Sequence, residues 1–346
     1  MTTPKGTLIV TGANGGLGSA IVKQIVASPE FSGYHGLYLV RDAASATGLD
    51  SVLATNSSNS HDVLSMDLTD MDSVRQAAKV INSRISSGQI PPIKVLILNA
   101  GYNDLGKQAW TKDGLDITFG ANYLGHWLLT LLLLQSMNMD SGRIVFVGSH
   151  AHDPNDKRNE RNKAFVNEKY KIILQDENTF AAIAKGEWSP AQEDPSWASG
   201  YRRYGASKLF LIMMMHELQR RVNQDPSLKN ISLLGVDPGI MTTGLQRHAP
   251  WFIRVLIFQV IMPLVGLMMP NGPYRTTQKS ASHVLRAAFD SDQVMGPLPK
   301  DLYFNGLELM ETSDESRDPV KRDMVWKQSI RYAGLKEGET ILGNWK

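Results

Sequence analysis

The chain has 346 residues, with 36 lysines and arginines against 34 aspartates and glutamates, so its formal net charge is +2. That balance excludes a nucleic-acid binder that works through bulk charge. A hydrophobic fraction of 42% excludes global disorder. Because there is no cysteine, disulfides and zinc–thiolate sites are excluded, and we expect no metal. The apolar run after Lys5 is too short for a secretory signal, so we expect a cytoplasmic protein.

Short apolar runs alternate with amphipathic stretches over the first two-thirds of the chain. The runs are rich in Val, Ile and Leu, as buried parallel strands are, and they cover 7–10, 36–40, 62–66, 94–98, 143–147 and 231–236. Helices are predicted over 18–28, 70–86, 111–137 and 204–223. Strand–helix repetition of this kind predicts an α/β fold with a doubly wound parallel sheet, the Rossmann fold. We interpret the whole chain, 1–346, as one such domain.

Three segments depart from this alternation: a polar insertion at 153–198, an apolar segment at 242–275, and a C-terminal strand and helix within 300–346. The apolar run 251–270 is long enough to cross a bilayer, but Arg254 is costly in a membrane and Pro263 breaks a helix. We therefore predict a broken helical lid over an apolar site. A peripheral membrane contact through 251–270 is the second interpretation, and a membrane span is the third.

Glycines follow the first predicted strand directly, in the sequence from Leu8 to Gly18. A helix that begins there presents free N–H groups and a partial positive charge, which suit a pyrophosphate. Glycine also permits the tight turn and the close approach of a ligand to the backbone. Gly12, Gly16 and Gly18 fit one dinucleotide-binding pattern, and Gly12, Gly15 and Gly18 fit another. The glycines alone do not choose between them.

The ends of the next strands carry further candidates for cofactor binding. Arg41 follows the second strand, where a cation would pair with a 2′-phosphate, so the sequence favours NADP(H) over NAD(H), although Asp42 comes next. Asp67 and Leu68 end the third strand, where the carboxylate can accept from an adenine amino group. The triplet Asn99, Ala100 and Gly101 ends the fourth strand, and its small residues let a cofactor lie against the sheet edge.

Four residues form the predicted catalytic set: Asn122, Ser149, Tyr204 and Lys208. Tyr204 and Lys208 are four residues apart in a predicted helix and share one face of it. A lysine ammonium beside a cationic nicotinamide would favour the phenolate and make Tyr204 a general acid and base. Ser149 would hydrogen-bond the carbonyl or alcohol oxygen, and Asn122 would anchor a water that relays protons to Lys208.

The turn after the sixth strand completes the expected site. Pro238 and Gly239 would place Ile240 and Thr243 near the nicotinamide carboxamide, and the predicted lid begins immediately afterwards.

Taken together, these motifs resemble the short-chain dehydrogenase/reductase superfamily, and they occur in the family's order over about residues 6–245. The resemblance selects the pattern with Gly16, and it implies that Asn14 and Leu17 also contact the cofactor. The segment 122–130, the apolar lid and the tail resemble the retinol dehydrogenase-like and WW-domain oxidoreductase-like branch, whose members prefer NADP(H) and act on lipophilic alcohols and carbonyls.

The long spacing from Ser149 to Tyr204 departs from that branch and is similar to the insertion of the monomeric carbonyl reductases. There the insertion blocks the usual helix–helix dimer face, so we expect a monomer or a weak dimer.

The predicted function is an NADP(H)-dependent oxidoreductase that interconverts a carbonyl and an alcohol on a bulky lipophilic small molecule, for example a secondary metabolite. Methionines and the lid aromatics Trp251, Phe252 and Phe258 indicate such a substrate. Two alternatives stay open: a redox-neutral isomerase or cyclase that uses the cofactor as a scaffold, and a non-catalytic protein that senses NADP(H).

Overall fold

A computed structural model describes residues 4–55, 60–160, 162–241, 272 and 274–346. Nearly all of the predicted lid, 242–275, lies outside these residues. So do Thr243, the three lid aromatics and the whole candidate membrane segment, 251–270.

One sheet of eight strands organises the chain, in the order β3-β2-β1-β4-β5-β6-β7-β8. Every neighbouring pair is parallel except the last, in which β8 runs antiparallel to β7. The strands are β1 (Thr7–Thr11), β2 (His35–Val40), β3 (His61–Ser65), β4 (Ile93–Leu98), β5 (Arg143–Val147), β6 (Ser232–Asp237), β7 (Leu302–Asn305) and β8 (Glu308–Leu309). The six predicted strands are confirmed within a residue or so, and the Rossmann-like α/β fold is confirmed with them.

Helices cover both faces of the sheet, as right-handed crossovers between parallel strands require. They are α1 (Gly16–Ala27), α2 (Thr47–Leu53), α3 (Met71–Ser86), α4 (Ile117–Phe119), α5 (Gly125–Leu133), α6 (Lys157–Glu160), α7 (Glu177–Ala184), α8 (Trp197–Gln224), α9 (Thr277–Phe289), α10 (Asp314–Arg317) and α11 (Pro319–Ala333). The chain order reverses between β1 and β4, and ligands of such sheets bind beyond the carboxyl ends of the strands at this point.

The predicted helix over 111–137 is interrupted in the structure. It begins only at α4, because the Asp116 carboxylate caps the amides of Thr118 and Phe119. A single π-helical turn, Gly120–Leu124, then separates α4 from α5. Turns of this kind occur frequently at functional sites, and this one contains Asn122.

Helix α8 is longer than the sequence indicates. It was predicted from residue 204 but begins at Trp197, where the Ser196 hydroxyl accepts a hydrogen bond from the Ala198 amide at 3.2 Å. Tyr204 therefore lies well inside a rigid helix rather than at its start. The insertion accordingly ends at about residue 196 rather than 198.

Other segments of the same chain, α11 and the insertion, pack against helices α5 and α8. Every residue of α5 is buried. Trp326 of α11 packs edge-on against Trp127, with ring centroids 5.3 Å apart, and Phe180 of the insertion stacks on Phe210 at 5.1 Å. In the part of the chain that the structure describes, the helical run Ile117–Ser136 is the one long and apolar enough to cross a membrane, by length and composition alone, but 89% of its apolar window is buried.

Candidate active site

A cavity of about 820 Å³ lies beyond the carboxyl ends of the parallel strands. It extends from the end of β2, over the glycine turn, to Tyr204 on α8. Most of the predicted site residues line it: Gly12, Asn14, Gly16, Leu17, Gly18, Arg41, Asp67, Leu68, Asn99, Ala100, Gly101, Ser149, Tyr204, Lys208, Pro238, Gly239 and Ile240. Asn122 is not in the cavity wall, and Thr243 lies outside the described residues.

Two glycines of the turn, Gly12 and Gly18, leave no space for a side chain. Gly12 has a positive φ of 64°, and a Cβ placed on it would lie 2.8 Å from the Ala100 Cα. A Cβ on Gly18 would lie 2.1 Å from the Gly12 carbonyl oxygen. Helix α1 begins at Gly16, so its first N–H groups face the cavity. This is the arrangement that a dinucleotide pyrophosphate needs.

The hydroxyl of Thr11 holds the glycine turn to the end of β4. Its oxygen accepts hydrogen bonds from the amides of Asn99, at 2.9 Å, and Ala100, at 3.0 Å. The side-chain amide of Asn99 donates to the Thr11 carbonyl at 2.8 Å. Asn99 therefore fixes the backbone of the glycine turn.

At the far end of the cavity, Arg41 is exposed, whereas Asp42 is engaged locally. The Asp42 carboxylate accepts from the Ala44 amide at 3.0 Å and caps a short 3-10 turn. Asp67 is similarly tied, because one of its carboxylate oxygens accepts from the Thr69 amide and hydroxyl. In the described part of this wall, Asp42 and Asp67 are thus bound to their own turns, whereas Arg41 is not.

Ser149 and Tyr204 both line the other end of the cavity. Ser149 follows β5 and caps a 3-10 turn, where its hydroxyl accepts a hydrogen bond from the Ala151 amide at 3.2 Å. Lys208, one turn further along α8, places its Nζ 5.7 Å from the centre of the Tyr204 ring. That Nζ donates to the Val147 carbonyl at 2.8 Å. The structure therefore brings together three of the four predicted catalytic residues.

Burial determines the proton affinities of this pair. It raises the pKa of the Tyr204 phenol well above its usual value, while the nearby Ser149 hydroxyl acts to lower that pKa and the charge of Asp237 acts to raise it. Burial lowers the pKa of Lys208 to about 8, and Asp237 opposes this. The expected lowering of the phenol pKa is thus not seen in the protein alone. That lowering also requires the charge of an oxidised nicotinamide, which only a bound cofactor supplies.

Asn122 is fully buried behind the site. Its side-chain oxygen accepts from the Tyr102 amide at 2.7 Å, and its amide donates to the Tyr102 carbonyl and the Ser207 hydroxyl, both at 2.9 Å. The side chain therefore joins the loop after β4 to α8. Its expected role in a water relay stays a prediction.

Sequence reasoning missed His126, which connects Asn122 to the glycine turn. Its Nε2 lies 2.9 Å from the Thr11 hydroxyl, and its Nδ1 lies 3.2 Å from the Asn122 carbonyl. Since the Thr11 oxygen already accepts two amide hydrogens, its own proton points to Nε2, and Nδ1 carries the ring hydrogen. Burial lowers the pKa of His126 to about 3, so the ring is neutral. A histidine in an apolar helix gave too weak a signal to single out.

A second missed cluster surrounds Asp237 at the end of β6. Arg158, from the insertion, binds its carboxylate at 2.8 Å, and the Nδ1 of His150 lies 3.7 Å away. Although burial acts to raise it, the nearby His150 and the Arg158 guanidinium hold the pKa of Asp237 well below its usual range. The insertion therefore reaches into the site, and Arg158 and His150 both line the cavity.

The comparisons with known proteins agree with this geometry. A family model described as short chain dehydrogenase matches residues 6–158. The short-chain dehydrogenase iccH of Talaromyces variabilis is 42% identical over 99% of this chain and 99% of its own length. The chain belongs to the short-chain dehydrogenase/reductase family. Protochlorophyllide reductase A of Arabidopsis thaliana is also similar to this family member, at 33% identity over 96% of this chain and 78% of the relative.

Among solved structures, an NADPH-bound carbonyl reductase from chicken fatty liver has the same fold, with a TM-score of 0.56 and 16% identity. The match covers 90% of this chain and 100% of that one. Membership of the short-chain dehydrogenase/reductase family confirms the oxidoreductase assignment that the motifs predict. The retinol dehydrogenase-like branch stays a prediction.

The neutrality of His126 predicts acid sensitivity of the fold. In the unfolded chain a histidine takes up a proton near pH 6.5, whereas folded His126 does so only near pH 3. The free energy of unfolding should therefore fall as the pH drops from about 6.5 toward 3, by up to about 1.4 kcal/mol per pH unit for this group. Urea unfolding at about pH 7.5, 6.0 and 5.0 measures this change in the free energy of unfolding.

His126→Gln should flatten this dependence, because glutamine does not titrate and its amide can still bond Thr11. His61→Gln serves as the control, since His61 is only partly buried. An unchanged pH slope in His126→Gln would contradict the assignment.

Proposed function

We propose that this family member is an NADP(H)-dependent oxidoreductase that interconverts a carbonyl and an alcohol on a bulky lipophilic small molecule of the kind found among secondary metabolites. The observation that carries the proposal is that Ser149, Tyr204 and Lys208 line one cavity together with the glycine turn, with the Lys208 Nζ 5.7 Å from the centre of the Tyr204 ring.

The residues present fit a dinucleotide. Gly12 and Gly18 leave no space for a side chain, so a ligand can approach the backbone closely. The first amides of α1 face the cavity, and Arg41 lies at the far end of the cavity. In this arrangement Gly12 to Gly18 would hold the pyrophosphate, Asp67 the adenine, and Lys208 the nicotinamide ribose. When bound, the reduced cofactor supplies the hydride that the substrate's carbonyl carbon accepts.

Residues of the chain supply the proton that the substrate's oxygen takes up. The carbonyl oxygen gains a negative charge as its carbon is reduced, and Tyr204 donates its proton to that oxygen, which leaves an alcohol and a phenolate. Ser149 holds the same oxygen in place through its hydroxyl. The ammonium of Lys208 then stabilises the phenolate in a buried site, where a nearby charge acts strongly. The reverse sequence oxidises an alcohol.

The preference for NADP(H) rests on Arg41. Asp42 would disfavour a 2′-phosphate, but its carboxylate is occupied by its own turn. Two related observations support this choice: the chicken carbonyl reductase of the same fold is bound to NADPH, and an angucycline C-6 ketoreductase, LanV, is bound to NADP.

The proposal that the substrate is lipophilic rests on the wall beyond Tyr204, where Leu105, Trp197 and Met241 line the cavity. We further propose that the enzyme acts as a monomer. The two helices that would form a partner surface, α5 and α8, are already covered by the insertion and by α11.

Replacement of Tyr204 by phenylalanine should lower the rate of ketone reduction by about 10²- to 10⁴-fold, because the proton donor is lost. The measurement follows the absorbance of the reduced nicotinamide together with the alcohol formed. Tyr332→Phe, on a helix away from the cavity, is the control. Product that forms without consumption of reduced cofactor would indicate the redox-neutral alternative, and cofactor binding without any turnover would indicate a sensor.

Replacement of Arg41 by alanine should lower kcat/KM for NADPH by about ten- to a hundredfold and leave that for NADH nearly unchanged, since a charged hydrogen bond to the 2′-phosphate is removed. Lys79→Ala, an exposed cation on α3, is the matched control. An equal loss with both cofactors would contradict the assignment of Arg41.

The lowered pKa of Lys208 predicts the pH dependence of reduction. Because its positive charge is present below about pH 8 and lost above it, kcat/KM for the ketone should be flat below that pH and fall above it. Lys208→Arg should move the fall to higher pH, since arginine stays charged. A profile that is identical in this variant would exclude Lys208 as its source.

A further inference from the structure

Three aromatic side chains follow one face of α8 from the catalytic tyrosine to the mouth of the cavity. Trp197, Tyr201 and Tyr204, with Lys208 beyond them, are spaced by four, three and four residues, which places them in one line along a helix. All four line the cavity. We call the rings of Trp197 and Tyr201 the aromatic stripe.

The aromatic stripe runs from Tyr204 toward solvent, and its neighbouring rings are in contact. The ring centroids of Tyr204 and Tyr201 are 6.2 Å apart with a tilt of 32°, and those of Tyr201 and Trp197 are 5.8 Å apart, edge to face. Trp197 is 42% exposed and forms the outer end. A ligand held at Tyr204 by its carbonyl group would therefore lie along both rings.

The ring of Tyr201 is fixed from behind. Phe165 of the insertion packs against it with centroids 6.0 Å apart. The Tyr201 hydroxyl lies 2.9 Å from the Asn159 side-chain oxygen and 3.2 Å from the His150 Nε2.

The hydrogen-bond pattern of Asn159 settles the direction of these bonds. Its amide nitrogen donates to the carbonyls of His150, at 3.1 Å, and Asp153, at 2.8 Å, so its oxygen must face Tyr201. The phenol proton of Tyr201 is therefore donated to Asn159, and its oxygen accepts from His150. Tyr201 has no proton to offer a substrate, and what it presents to the cavity is its ring.

We propose that the aromatic stripe binds a planar aromatic ring system of the substrate, fused or joined to the carbonyl group that Tyr204 protonates. The inference rests on the proposed function and names the class of substrate: a planar aromatic ketone or alcohol rather than a saturated one of equal bulk. Aromatic pairs gain energy from edge-to-face and offset contacts beyond the apolar area that they bury, and a saturated ring cannot make them.

The matched probes are 2-tetralone and trans-2-decalone, which share a ten-carbon skeleton and an unconjugated ketone but differ in one aromatic ring. The holoenzyme with NADPH should reduce 2-tetralone with the higher kcat/KM. Trp197→Leu, which keeps an apolar side chain, should lower kcat/KM for 2-tetralone by about three- to tenfold and leave that for the decalone within about twofold. Trp110→Leu, an exposed tryptophan outside the cavity, is the control.

Equilibrium dialysis of the alcohols 2-tetralol and trans-2-decalol gives a second readout that needs no turnover. Tighter binding of 2-tetralol that is lost in Trp197→Leu supports the stripe even if neither ketone is reduced, in which case only the proposed reaction fails. Equal binding of the two alcohols, binding of neither, or an equal loss of both in Trp197→Leu would overturn the inference.

Discussion

The hydroxyl of Thr11 is the contact on which the geometry of the site depends. It accepts the amides that follow β4 and donates to His126, which in turn holds the carbonyl of Asn122. Because Asn122 binds Ser207 on α8, one chain of hydrogen bonds runs from the cofactor turn to the helix that carries Tyr204. The glycine turn and the helix that carries Tyr204 are therefore held by the same buried network, and each hydrogen bond in it costs more to lose inside the protein than it would in water.

The insertion is the second determinant of the site. It is polar in sequence, yet it packs aromatic side chains against the main core and sends Arg158 to the carboxylate of Asp237. Asp156 binds the same guanidinium at 2.6 Å. Burial would make a lone carboxylate unfavourable at the end of β6, so the guanidinium of Arg158 is what allows Asp237 to stay ionised there. The insertion thus contributes to the electrostatics of the reaction centre as well as to the shape of its mouth.

The strands of the sheet and most residues of the candidate site could be predicted from the sequence, because the patterns that indicate them are local. Buried strands appear as short apolar runs, and the glycines, Ser149, Tyr204 and Lys208 follow the ends of elements at fixed offsets. The parts that could not be predicted depend on contacts between distant residues. Nothing in the sequence pairs Arg158 with Asp237, or turns His126 toward Thr11, and the π-helical turn at Asn122 has no pattern of its own. The early start of α8 was missed because its signal, Ser196, lies in a segment that looks like a loop.

Two adjacent arginines on α8 bear on how this enzyme could be altered. Arg202 binds Asp194 at 2.5 Å, and Arg203 binds Asp104 at 2.7 Å and also the Ser189 carbonyl, all directly before the catalytic tyrosine. Shortening or exchanging the insertion would leave the buried charge of Arg202, two residues before Tyr204, without Asp194, and would remove the Ser189 carbonyl from Arg203. Single substitutions in the cavity wall should therefore change the range of substrates with a smaller loss of stability than exchange of the whole insertion.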